Sequence, residues 1–212
     1  MKFHNFFYFS LFLLFTSCGK SIFVSKTTQV DNFQIISVKD ATITTSNDFV
    51  RNGFDKTFPK VFTSNQNLID TFLNSIHTGL KQLNRLDNVI LDNSKDWEGF
   101  GNRMNASSYD SSFDKCKTKY LINFSKININ EVSERDLVRD YKGNTTQQRK
   151  SFAVMTAQVQ IYEVTSKKLL LEFTSTGKSQ ISFFQYSKSL KGAYQQCVNR
   201  IIKYFEFGDA GY

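Results

Sequence analysis

The chain has 212 residues, of which 40% are hydrophobic, 15% aromatic and 22% charged, with 22 Phe and a single Pro, Pro59. That balance belongs to one globular domain and excludes a disordered or Pro-rich chain. The formal charge of +8 points to anionic partners such as lipid head groups, acidic glycans or an acidic protein surface.

In chain order, Met1 to Asn5 carry one charge at Lys2, and Phe6 to Phe15 form an almost unbroken apolar run. Leu14-Phe15-Thr16-Ser17-Cys18-Gly19 then closes that run with two small residues and a cysteine. This is the order of a secretory signal peptide, and its run falls short of the about 20 apolar residues needed to span a bilayer. The block resembles a bacterial lipoprotein signal, in the Phe/Leu-rich style of Bacteroidetes, with Phe15 where the common pattern has Leu. The resemblance implies that residues 1–17 are removed, that Cys18 carries palmitate-type lipid, and that 18–31 form the tether. Gly19 after the cysteine, in place of the Asp that retains many lipoproteins, implies the outer membrane, facing the periplasm. Export argues against nucleic acid as a partner. It also makes Cys116 and Cys197 a candidate disulfide, worth roughly 4–5 kcal/mol by chain entropy. The alternative for Cys197 is a buried free thiol.

The structured part is expected over 32–205. Asn32 to Thr44 reads as a strand, and a polar loop follows to Asn65. Asn67 is placed as the N-cap of a helix to about Asn84, whose Leu68, Ile69, Phe72, Leu73, Ile76, Leu80 and Leu83 make one apolar stripe. Gly79 is read as a close approach to a sheet. From 92 to 118 the sequence is a long polar loop holding the sole tryptophan, Trp97, next to Phe100. The two aromatics are candidate partner contacts, with Trp97 folding back onto the core as the alternative. Lys119 to Val132 reads as a strand whose apolar parity flips near Ser125 or Lys126, which signals a bulge. Residues 131–150 read as a charged loop. Ser151 to Val164 alternates cleanly, Thr165 to Lys168 turn, and Leu169 to Ser179 returns. A helix capped by Ser187 or Ser189 runs to about Phe205, and 206–212 is a frayed tail.

The order β-α-β-β-β-α implies an α+β two-layer sandwich, with a mixed, mostly antiparallel sheet and both helices on one face. As topology, this is similar to envelope lipoproteins whose domain resembles the amino-terminal part of TolB, including curli-secretion lipoproteins and activators of peptidoglycan synthases. No family motif matches, so no family residue is carried over.

Catalytic signals are sparse. His4 leaves with the signal, and His77 stands on the first helix with no local Cys, Asp or His partner. The sequence holds no phosphate-cradling glycine loop, nucleophile elbow or metal-ligand spacing, so no cofactor or metal is expected. Asp92, Asp96 and Glu98 are the only candidates for glycoside chemistry. The reading is a non-enzymatic, membrane-anchored envelope lipoprotein that binds a protein or peptidoglycan partner. The alternatives are an immunity-type lipoprotein that neutralises a toxin, or a glycan-directed hydrolase.

Overall fold

The computed structural model describes residues 40–83, 88–100, 106–139, 141, 143, 145–183 and 185–207, without the side chains of 106–110, 138 and 207. The signal, Cys18, the tether, residues 32–39 of the first expected strand and most of the tail lie outside these residues.

A mixed, open six-stranded sheet forms the centre. Its strands are β1 (Asp40–Thr45), β2 (Phe49–Asn52), β3 (Asn88–Leu91), β4 (Tyr120–Arg139), β5 (Thr145–Glu163) and β6 (Lys168–Ile181). The order across the sheet is β3-β1-β4-β5-β6, with β2 also on β4. β1 lies parallel to β4, and β4, β5 and β6 form the expected antiparallel meander. β1 and β2 share one edge of β4 in succession: Thr45 pairs with Phe124, and Phe49 resumes at Ile127. The register shift between Phe124 and Lys126 falls at this handover, where the parity of the apolar residues flips.

The helices are α1 (Phe58–Val61), α2 (Asn65–Gln82), α3 (Ala106–Lys115) and α4 (Tyr186–Phe207). α2 starts earlier than expected, because Ser64 rather than Asn67 is the cap. Ser64 Oγ accepts from Asn67 N at 3.0 Å, while Asn67 Oδ1 accepts from Thr63 N at 3.2 Å. One orphan helix donor and the amide before the cap are satisfied reciprocally, so the helix begins three residues earlier, most of a turn.

α2 and α4 bury their apolar stripes in one core on one face of the sheet. The alternating Ala153, Met155, Ala157, Val159 and Ile161 of β5 are all fully buried there. Phe72 meets Phe124 edge-on at 5.0 Å between ring centres, and Phe173 stacks on Tyr204 at 4.2 Å. α4 comes close enough for Ser175 Oγ to donate to Cys197 O at 3.0 Å. Gly177 makes this approach possible: a Cβ there would lie 1.9 Å from Ala193 O. Gly79 marks a close approach too, but to Ile202 of α4 rather than to the sheet.

Three expected loops are structured, the first being the stretch between Thr44 and Asn65, which holds β2 and α1. The strand β3, absent from the expected order, lies parallel to β1. A parallel neighbour requires a crossover of a dozen or more residues, and the chain needs one from β3 to β4 as well. That second crossover is the segment 92–118, which carries a turn of 3₁₀ helix at Lys95–Trp97 and then α3. It covers the face opposite α2 and α4 with a second cluster of Trp97, Phe100, Phe113, Leu121 and Tyr162. The order is therefore longer than β-α-β-β-β-α, and part of the sheet is covered on both faces rather than one. The charged 131–150 stretch is likewise strand: β4 and β5 pair out to Arg139 and Thr145.

Candidate functional site

Trp97 and Phe100 face inward. Trp97 is fully buried, its Nε1 donates to Asp92 Oδ2 at 2.8 Å, and its ring meets Phe100 edge-on at 5.3 Å. A polar network pins this segment to the sheet. Asn123 Nδ2 donates to Ser46 Oγ at 3.0 Å, Gln160 Oε1 at 3.2 Å and Phe100 O at 3.3 Å, and Tyr162 OH donates to Gln160 Oε1 at 3.1 Å. Ser46 Oγ also donates to Phe100 O. Satisfied buried networks of this kind rigidify a structure, so the two aromatics act as core in this arrangement.

The candidate acids have structural partners or face solvent. Burial pushes the Asp92 carboxyl up, but hydrogen bonds from Trp97 and Ser94 and the charge of Lys115 outweigh it and hold the group below its ordinary value. A glycosidase proton donor needs the opposite, a carboxyl kept protonated near neutral pH. Asp96 pairs with Lys115 at 2.9 Å, and Glu98 is exposed. His77 Nε2 donates to Val89 O at 3.0 Å, tying α2 to the edge strand β3.

Cys116 and Cys197 are free thiols. They sit on opposite faces of the sheet, Cys116 against the Trp97 cluster and Cys197 in the core under α4, so the candidate bridge is not formed here and Cys197 takes the alternative of a buried free thiol. Burial pushes the Cys197 thiol up to about 12. Among the described residues no group of three His, Cys, Asp or Glu is placed to hold a metal, and no helix is long and apolar enough to cross a membrane.

A groove of about 640 Å³ lies between α2 and α4. Asn74, Thr78 and Gln82 line it from α2, and Tyr194, Gln195 and Asn199 from α4, with Gly79, Val198 and Ile202 also on its wall. Tyr194 braces the two helices: its OH lies 2.8 Å from Ser75 Oγ and donates to Thr71 O at 3.0 Å. Burial raises the Tyr194 phenol above its ordinary value, so it stays neutral. No lining residue carries a charge, although the same helices bear Lys81, Lys188, Lys191 and Lys203 elsewhere. The wall thus offers amide and hydroxyl groups that both donate and accept. The sequence held a signal for it, since Thr71, Asn74, Ser75, Thr78 and Gln82 recur at helical spacing as an uncharged polar stripe beside the apolar one. What the sequence lacked was the partner helix.

No protein-family model and no curated protein matches the chain. Solved structures with a similar fold include a neuraminyllactose-binding hemagglutinin homolog from Helicobacter pylori. It is 12% identical, with 78% of this chain and 82% of that one covered and a TM-score of 0.42. The PelC dodecamer from Paraburkholderia phytofirmans is 11% identical over 87% and 96% of the two chains, with a TM-score of 0.39. A minor lipoprotein from Acinetobacter baumannii is 10% identical over 81% and 94%, with a TM-score of 0.33. Likenesses this distant carry no argument about function.

Proposed function

We propose that this chain is an envelope lipoprotein, anchored through Cys18 to the outer membrane on its periplasmic side, that binds a cell-wall glycan in the α2–α4 groove. The anchor rests on the run Leu14 to Gly19, whose small-residue pair precedes a cysteine. The ligand class rests on one observation: a groove between α2 and the basic α4 whose wall is wholly uncharged and rich in amides and hydroxyls. A neutral ligand bearing hydroxyl and N-acetyl groups suits the amides of Asn74, Gln82, Gln195 and Asn199, whereas an ion would be left without a countercharge.

Two measurements test the two halves separately. Labelled palmitate should enter the wild-type protein and not Cys18→Ala; no incorporation into the wild type overturns the anchor. Residues 19–212 should co-sediment with purified peptidoglycan sacculi, and the Asn74→Ala, Asn199→Ala double variant should bind at least tenfold more weakly. Both positions are exposed, so the fold is retained. Folded wild-type protein that stays in the supernatant, or a double variant that sediments as well as wild type, overturns the glycan reading.

A further inference from the structure

Beyond the sheet, β4 and β5 continue alone. β2 leaves β4 after Asn130, and β6 begins to pair with β5 only at Ser151. Residues 134–139 and 145–150 therefore form a two-stranded arm of six residue pairs, about 20 Å long at the usual rise per residue. Two-stranded ribbons are marginal in water unless something packs on them.

The two faces of the arm differ. On one, Lys150 pairs with Asp136 at 2.7 Å and Lys178 with Glu134 at 2.6 Å. On the other, Arg135, Leu137 and Arg139 alternate along β4, with Arg149 directly opposite Arg135. Like charges directly across a ladder destabilise it. No described carboxylate pairs with any of the three: Arg149 donates to Ser133 Oγ and Arg139 to Gly143 O. Leu137 is 71% exposed and Tyr141, at the tip, 92%. At the base, Phe183 is 95% exposed with φ 45°. The β4 edge from Glu131 to Arg139 has no neighbouring strand among the described residues.

We infer that this arm is a docking edge for an acidic, extended segment of a partner protein, which adds as a strand beside residues 131–139 of β4. The backbone edge supplies the ladder. Acidic side chains at alternate positions meet Arg135 and Arg139 directly, where bidentate guanidinium–carboxylate pairs relieve the repulsion from Arg149 across the ladder. Leu137 and Tyr141 supply apolar contact of the kind that dominates interfaces. A second copy of this chain does not fit, because edge-to-edge pairing of two arms would set one arginine face beside another. The tip also lies at the opposite end of β4 from the Tyr120 end, where β1 begins at Asp40. That is about 65 Å along the strand.

The test uses residues 19–212 and a dye-labelled peptide of alternating Glu and Val, followed by fluorescence anisotropy. Saturable binding is expected, weakening at least tenfold between 50 and 300 mM salt. The Arg135→Gln, Arg139→Gln, Arg149→Gln variant should lose at least tenfold. Arg135→Gln alone, which removes the like-charge pair without disturbing the ladder, should lose about threefold and keep its thermal transition. A peptide of the same charge, N-methylated at every residue so that neither edge can donate, should not bind. Equal binding by wild type and the arginine variants, equal binding of the methylated peptide, or binding to phosphatidylglycerol vesicles with none to the peptide overturns the inference.

Discussion

Replacing Gly177 by Ala asks most directly whether α4 is seated on the sheet as described. The added Cβ would lie 1.9 Å from Ala193 O, 2.6 Å from Cys197 N and 2.9 Å from Ala193 C. All three are backbone atoms of α4, so no side chain can rotate aside, and the helix must lift by more than an ångström. Such a gap forfeits about a quarter to a half of each dispersion contact beneath it, and Leu190, Ala193, Cys197 and Ile201 are all fully buried there. Overpacking costs typically about 1–3 kcal/mol, and with loss of contact along α4 the expected cost is about 3 kcal/mol. For a domain of this size that lowers Tm by roughly 6–12 °C. Two other glycines serve as controls. Gly79→Ala meets Ile202 Cδ1 at 2.2 Å and Cγ1 at 2.8 Å, and Gly192→Ala meets Ser179 Oγ at 2.8 Å, all side-chain atoms that a change of rotamer moves. Helix propensity favours Ala at each by about 1 kcal/mol, so both variants should stay within about 1 kcal/mol of wild type. Urea unfolding followed by circular dichroism ranks the three. A Gly177→Ala protein as stable as either control would refute the seating of α4.

The thiols should differ sharply in reactivity. With its thiol near 12, Cys197 holds about a thousandth of the thiolate of an unshifted group at pH 8, so iodoacetamide should modify the half-buried Cys116 and reach Cys197 only on unfolding. An intact mass two daltons light would mean a bridge across the sheet and contradict the fold. Asp92, with its folded value held below 3.8, stabilises the protein above about pH 4, and that stabilisation is lost as pH falls through the folded value. Asp92→Asn should thus cost about 1 kcal/mol at pH 7, through the weakened bond to Trp97. Its urea midpoint should converge on wild type near pH 2, and a gap that persists there would sink the argument. Leu73→Asp buries an unpaired charge at a fully buried position and should abolish the cooperative thermal transition; a retained transition would place Leu73 outside the core.

The sequence by itself determined the elements whose apolar period is long and uninterrupted. The stripe from Leu68 to Leu80 made α2, the alternation from Ala153 to Ile161 made the centre of β5, and the parity flip near Ser125 marked the bulge. Each is a local pattern, because one face of each element must leave water whatever it packs against. Tertiary structure decided the rest. β3 is four residues long with one buried position, Val89, and becomes a strand only because β1 offers an edge. The 92–118 segment looks like a loop until a sheet face presents Leu121 and Tyr162 for Trp97, Phe100 and Phe113 to cover. The arm has no apolar period, since its face carries arginines and its strands pair only with each other. The groove needs both helices, which meet where Gly79 admits Ile202. The contact between α2 and α4 spans more than a hundred residues and leaves no mark in a local window, so the sequence located the core but not the groove.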